Sequence, residues 1–421
     1  MSTLTDKVAT EAFLERIPLG RFEFWQRHPD EKLAELAELR RVAPVSQHVV
    51  HDLPGVEPGL RFWAVTGHAE VYQGSRLSEF SSAQGILLAE VRDDPTLGTV
   101  PPSILTMDGA EHLRLRSVVN RRFTPRAVGA LRDSIRDTVV SVLDDVAARG
   151  ECEFVKDVAA RIPMRVICAL MGIPDEWYDD LISLTNAVAG GEDSEYAVSN
   201  EDRVAANFRL LDMGQKLADL KVADPGEDLT SLLVASAGEG ERISPAELAS
   251  FLRLLVAAGN ETTRNAIAHA LRLFSAHPEQ KELLLADFEG RVATAIEEIL
   301  RMSSPVNSMV RTAVADVELG GRTIRTGDKV MFLYSAANRD PDVFANADAF
   351  DIGRDPNPHM AFGGGGAHFC LGAHLARLEV KILLEEMYRR LPDIVAVGEP
   401  DYLESTFVNG IKRMNAFWSP A

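Results

Sequence analysis

The chain has 421 residues, 46% hydrophobic and 25% charged, enough to bury a large core within one continuous domain over residues 1–421. Its formal net charge of −19 argues against nucleic acid or an anionic membrane as partner, since both reward a basic surface. Three cysteines with no close pair, Cys152, Cys168 and Cys370, exclude a disulfide framework and a zinc site of paired thiolates, and fit a reducing cytoplasm. The first residues lack the apolar run of a signal peptide, and no stretch of about 18 apolar residues follows. A soluble cytoplasmic protein without a membrane anchor is expected.

No internal repeat or long linker interrupts the chain, and helical periodicity dominates, so the expected fold is mainly α with a minor antiparallel β part. Apolar spacing predicts helices over residues 30–41, 110–122 and 125–149, the last closed by Gly150. Residues 61–65 read as a strand, as do 314–319, turning at Gly320-Gly321, and 329–333. Residues 187–202, rich in Gly, Glu, Asp, Ser and Asn, interrupt the helical pattern as a mobile lid or a plain surface loop.

Ser244-Pro245-Ala246-Glu247 is a capping-box start with proline at the first helical position, and the pattern then runs to His277-Pro278. At about 30 residues this helix spans ~45 Å, enough to cross the whole domain. Its middle, Ala257-Ala258-Gly259-Asn260-Glu261-Thr262-Thr263-Arg264-Asn265, is poor helix chemistry. The Thr262 hydroxyl reaches back to the Ala258 carbonyl beside Gly259, so a local widening or kink is expected, with a small groove. Leu254, Ala258 and Thr262 share one face at steps of four. A hydroxyl there, next to the Glu261 carboxylate, is suited to delivering protons to a bound diatomic ligand.

Glu298 and Arg301, three apart on the helix following Arg291, are spaced to pair. Further on, Phe362 and the four glycines Gly363 to Gly366 lead through Ala367-His368-Phe369 to Cys370, just ahead of a helical segment. Glycines let backbone N–H groups approach a cysteine sulfur closely, an arrangement suited to a thiolate held on a metal.

Together, the cysteine loop, Ala258-Gly259-Asn260-Glu261-Thr262-Thr263 and Glu298-Ile299-Leu300-Arg301 resemble the cytochrome P-450 family of haem-thiolate monooxygenases, over essentially the whole chain. The resemblance implies the cytochrome P-450 fold and heme b (iron protoporphyrin IX), with Cys370 as the iron ligand. It implies that His112, Arg116, Arg311 and His368 bind the haem propionates, that Ala258 and Gly259 border the haem, and that Glu261 and Thr262 manage protons. Glu298, Arg301 and Arg354 would brace the thiolate loop. Arginine and histidine suit carboxylate ligands because both donate hydrogen bonds, arginine through a fork.

The implied reaction inserts one atom of O2 into a C–H bond of an apolar small molecule. Electrons would come from a separate ferredoxin and ferredoxin reductase, because nothing in the chain offers a flavin or iron–sulfur domain. Arg114, Arg121, Arg122, Arg126, Arg377 and Lys381 lie in segments that the family places on the thiolate side, as a landing site for an acidic ferredoxin or as scattered surface charge. One departure is that Phe362 precedes Cys370 by eight residues where seven is common, so the fourth glycine reads as an insertion. The same quadruple-glycine loop, with Gly259-Asn260-Glu261-Thr262-Thr263-Arg264-Asn265 and Asn409-Gly410-Ile411-Lys412, resembles a bacterial subgroup that hydroxylates methyl-branched lipids and sterol side chains at the chain end. The expected activity is therefore terminal (omega) hydroxylation of a methyl-branched lipid or fatty acid, with Leu254, Ala258, Val306 and Phe407 lining the pocket. A sterol (cholesterol or cholestenone) side-chain or terpenoid hydroxylase is the alternative. A haem-thiolate ligand sensor without turnover would need Cys370 but not Glu261 and Thr262.

Overall fold

The computed structural model describes residues 13–89, 101–189, 192–196, 199–236 and 243–420. α1 (Pro29–Val42) begins with proline at its first position and carries acids in its first turn and Arg40 and Arg41 in its last, as the helix dipole favours. β1 (Val45–Val49), β2 (Arg61–Val65), α2 (His68–Gly74) and β3 (Phe80–Ser81) follow. Next come α3 (Gly109–Asn120), α4 (Pro125–Gly129), α5 (Arg132–Ala147), β4 (Glu151–Glu153), α6 (Arg161–Met171), α7 (Tyr178–Ala189), α8 (Asn200–Ala223) and α9 (Leu229–Ser236). α10 (Pro245–Ala276), α11 (Pro278–Ala286) and α12 (Phe288–Ser303) lead to β5 (Ser308–Ala313), β6 (Val317–Leu319), β7 (Arg322–Ile324) and β8 (Lys329–Leu333). α13 (Ala373–Arg390), β9 (Val395–Tyr402) and β10 (Ile411–Phe417) come last, and short helical segments lie at Phe22–Gln26, Val155–Ala159, Asp175–Trp177 and Tyr334–Ala337.

The main sheet runs β1-β2-β8-β5-β3. Its pairs are antiparallel except β2 with β8, which are parallel. A second sheet, β4-β10-β9, is antiparallel throughout. Helix predominates, as the sequence pattern implies.

Two boundaries differ from expectation. The single helix predicted over 125–149 is two, because Leu131 N–H turns back to the Val128 carbonyl at 3.0 Å just after Gly129. Val128, Ile135, Val139, Val142 and Val146 are all buried, so the apolar period continues across the break and conceals it. The strand predicted over 314–319 begins only at Val317, because Asp316 bends the chain by accepting from Thr326 N–H at 2.9 Å and Arg325 Nη1 at 2.6 Å. β6 then turns at Gly320 and Gly321, whose φ values of 55° and 70° favour glycine, and pairs with β7.

α10 is the axis of the molecule and packs against α6, α8, α12 and α13. Its 32 residues span ~48 Å. The capping box is formed, with Glu247 N–H donating to Ser244 Oγ at 3.2 Å and Ser244 N–H to Glu247 Oε2 at 2.7 Å. α10 is helical throughout, and Gly259 has a packing reason that spacing does not reveal: a Cβ there would lie 2.4 Å from Ile167 Cδ1 of α6. No helix of the described residues is long and apolar enough to cross a membrane.

Part of the expected lid is described. α7 ends at Ala189, residues 192–196 form turns, and Ser199 caps α8 by accepting from Asp202 N–H at 3.0 Å. Residues 190, 191, 197 and 198 of the expected lid lie outside the described residues. Asp193 is only 1% exposed and anchors this stretch, while Ser194, Glu195 and Tyr196 lie exposed on the surface.

Candidate active site

The glycine loop lies flat on the end of α2. A Cβ at Gly364 would sit 2.4 Å from Ser75 Oγ, and one at Gly366 2.7 Å from the Ser75 carbonyl oxygen. Arg76 donates to the Gly364 carbonyl. The extra loop residue is thus accommodated by backbone lying against backbone, where no side chain would fit. Beyond it, Cys370 N–H donates to the Phe362 carbonyl at 3.0 Å. Cys370 is exposed, yet the protein packed around its sulfur pushes the thiol up, while the N–H of Gly372 and the charges of Arg116 and Arg377 oppose the shift. Cys152 and Cys168 are pushed to about 12, mainly by burial, and are unreactive thiols.

Arg377 holds the loop from the α13 side. Its guanidinium lies 4.3 Å from the Phe362 ring centroid and donates to Glu297 at 2.6 and 2.7 Å. Glu297 also pairs with His359 at 3.0 Å. Burial raises this carboxyl, but Arg377 and His359 outweigh it and hold the pKa at about 2.

On α3, His112 is buried with neither ring nitrogen bonded, and its ring lies 4.4 Å from that of His368. Burial, then the His368 and Arg116 charges, pull His112 down to about 4. His368 Nε2 meets Asp108 at 3.2 Å and Ser82 Oγ at 3.3 Å, leaving Nδ1 as its remaining ring nitrogen. Asp108 was not legible as part of this site. Burial raises its carboxyl, but His368, Ser81 and Ser82 hold it well below the usual carboxylate range. Arg116 donates to the Phe369 carbonyl, and buried Arg311 donates to the Val310 carbonyl at 2.8 Å. A buried imidazole with two unbonded nitrogens, beside Arg116 and near the exposed Cys370, is a donor set that fits a carboxylate-bearing iron porphyrin.

Thr262 Oγ1 donates to the Ala258 carbonyl at 2.8 Å, as its spacing predicts. Ala258 is exposed mid-helix although Val256, Asn260 and Glu261 are buried, so this face of α10 borders open space. Glu261 has partners the sequence reading did not foresee: Arg264 Nη2, and the Asn265 amide at 3.0 Å. Asn265 Oδ1 in turn accepts from Ile411 N–H at 3.1 Å, linking α10 to the C-terminal strand.

Glu298, Arg301 and Arg354 come together. Arg301 meets both Glu298 oxygens at 2.8 Å, and Arg354 Nε meets Glu298 Oε2 at 3.1 Å. Arg301 also donates to the carbonyls of Asn338, Ala347 and Ala349 at 2.8, 2.7 and 3.0 Å, so the charge is buried without orphan donors.

Val306 and Phe407 belong to one apolar cluster, bridged by Asn307 N–H donating to the Phe407 carbonyl at 2.7 Å. Leu254 packs at the edge of the main core. Of the six basic residues, Arg114 pairs with Glu111 and Glu247, Arg377 with Glu297 and Lys381 with Glu289. At least these three are therefore matched by carboxylates, while Arg122 and Arg126 are exposed.

The family model described as Cytochrome P450 matches residues 292–400. The chain is 40% identical over 407 residues to the methyl-branched lipid omega-hydroxylase of Mycobacterium tuberculosis, covering 96% of this chain and 95% of that protein. It is 38% identical over 394 residues to the steroid C26-monooxygenase of Mycolicibacterium smegmatis, covering 92% and 90%. The solved structure of a Mycobacterium marinum cytochrome P450 in complex with pseudoionone matches with a TM-score of 0.88 at 37% identity, over 94% of this chain and 97% of that one. With a cysteine loop braced from α13, a donor set that fits haem b and full-length relatives of this kind, the chain belongs to the cytochrome P450 family of haem b monooxygenases.

Proposed function

We propose that the protein hydroxylates a methyl-branched lipid or fatty acid at its terminal (omega) carbon in the cytoplasm, with electrons from a ferredoxin and its reductase. The observation that carries this reading is the 40% identity, over 96% of the chain, to a methyl-branched lipid omega-hydroxylase. Cys370 would hold the iron, and His112, Arg116, Arg311 and His368 the propionates, with Ala258 and Gly259 beside the macrocycle. When bound, haem b would supply oxygen activation, which the Cys370 thiolate would favour by donating electron density.

The chain's own residues do the rest. The Thr262 hydroxyl holds a proton on the open face of α10, and the Glu261 carboxylate behind it relays protons once its contact with Arg264 opens. Leu254 and Ala258, with Val306 and Phe407, present apolar surface that excludes water and fixes one carbon of the substrate. Glu298, Arg301 and Arg354 act on folding, by fixing the segment that leads into the cysteine loop. Product analysis tests the reading: a methyl-branched fatty acid should give the terminal alcohol. Hydroxylation of cholest-4-en-3-one alone would favour the second reading, sterol side-chain oxidation, which the 38% identity to a steroid C26-monooxygenase supports.

A further inference from the structure

Two acids on the stretch between α7 and α8 grip the C-terminal loop that carries Phe407. Glu192 accepts from Thr406 N–H at 2.7 Å, from the Thr406 hydroxyl at 2.7 Å and from the Ser405 hydroxyl at 2.9 Å. Ser405 Oγ in turn accepts from the N–H groups of Phe407 and Val408, each at 3.1 Å. Glu192 is therefore one hydroxyl away from the backbone that aims Phe407. Next to it, buried Asp193 accepts from Glu404 N–H at 2.9 Å and pairs with Lys412 at 3.2 Å. These are charge-assisted bonds, the stronger kind.

The same loop is fixed from the opposite side by the core. Ser308 Oγ donates to the Thr406 carbonyl at 2.9 Å, Asn307 N–H to the Phe407 carbonyl at 2.7 Å, and Asn409 Nδ2 to the Ser303 carbonyl at 2.5 Å. The Asn409-Gly410-Ile411-Lys412 motif gains a physical role here. Asn409 and Ile411 anchor to the end of α12 and to Asn265 of α10, a Cβ at Gly410 would lie 3.3 Å from the Asn265 amide, and Lys412 meets Asp193.

We propose that Glu192, supported by Asp193, is a positioning residue for the reaction: it sets the place of Phe407 against the bound chain and so selects which carbon is oxidised. The inference rests on Phe407 touching substrate, as proposed above. Without the carboxylate, the Thr406 N–H and two hydroxyls lose their acceptor, and the Ser405 oxygen no longer holds the Phe407 turn from a fixed point. The substrate then binds with more freedom, and orientation is lost ahead of chemistry.

The test uses the full-length haem-loaded enzyme with a methyl-branched fatty acid as probe, reading the spin-shift Kd, the ratio of terminal to internal alcohols, and Tm. Glu192→Ala should raise Kd about tenfold, ~1.4 kcal/mol, and spread hydroxylation to internal carbons, a change of ratio that a lowered Tm alone does not produce. Glu192→Gln, which keeps an acceptor, should restore most of the ratio. In a chain already carrying Phe407→Ala, adding Glu192→Ala should change neither Kd nor the ratio further. Thr406→Val serves the same comparison if Glu192→Ala does not accumulate. A native ratio and Kd in Glu192→Ala, alongside a change in Phe407→Ala, would overturn the inference and leave the pocket reading intact. No change in Phe407→Ala would overturn both.

Discussion

Arg264 grips Glu261 from one helical turn away on α10, and the Asn265 amide holds the same carboxylate oxygen at 3.0 Å. The acid beside Thr262 is thus occupied, and moving a proton through it requires this contact to open. Glu261→Gln keeps the Asn265 bond but loses the ion pair and the proton-carrying group. Oxygen-dependent turnover should fall by about 10²-fold, while substrate binding stays native. Thr262→Ala should retain haem but release most reducing equivalents as hydrogen peroxide, measured as peroxide formed per electron pair consumed.

Arg301 and Glu298 have side chains with no solvent exposure at all. Removing one charge leaves the other buried and uncompensated, at a cost of about 3–5 kcal/mol. Glu298→Gln should lose stability on that scale, whereas Arg301→Lys keeps the charge but forfeits the fork that reaches the Ala347 and Ala349 carbonyls, and should cost less. Thermal unfolding and the yield of haem-loaded protein measure the effect.

Glu297 gives the loop brace a pH dependence. Its pKa is depressed from the ordinary 4.5 to about 2 in the folded protein. Its stabilisation is therefore complete above the ordinary value and is lost as pH falls through about 2. Glu297→Gln should be less stable than the native chain at neutral pH by ~1–3 kcal/mol, and the gap should narrow as pH drops from about 4.5 toward 2. A gap that stays constant in acid titration of Tm would contradict the assignment.

If a ferredoxin supplies the electrons, as proposed, the exposed residues Arg122, just after α3, and Arg126, on α4, would form its landing site. Arg122 and Arg126 face solvent, whereas Arg377 and Lys381 are each matched by a glutamate. Arg122→Glu with Arg126→Glu should slow reduction by an acidic ferredoxin several-fold and flatten its salt dependence. Lys381→Glu should matter less. Stopped-flow reduction at several ionic strengths reads both.

Local chemistry made much of this legible in the sequence. The Ser244 capping box, the Thr262 hydroxyl bond to Ala258 and the pairing of Glu298 with Arg301 all follow from spacing on one helix, and all are formed. Contacts between distant segments were not legible, because spacing carries no information about what folds alongside. Ile167 against Gly259, Asp108 against His368 and Glu192 against Thr406 are of this kind, the last two joining residues more than 200 positions apart. The break between α4 and α5 escaped for another reason: the apolar period runs through it unbroken.

The most direct test of the proposed substrate class is an optical titration of the ferric haem-loaded protein with methyl-branched fatty acids and, separately, with cholest-4-en-3-one. A low-spin to high-spin Soret shift with the branched lipids is predicted, with tighter binding than for the sterol. A shift with the sterol and none with the branched lipids would contradict it.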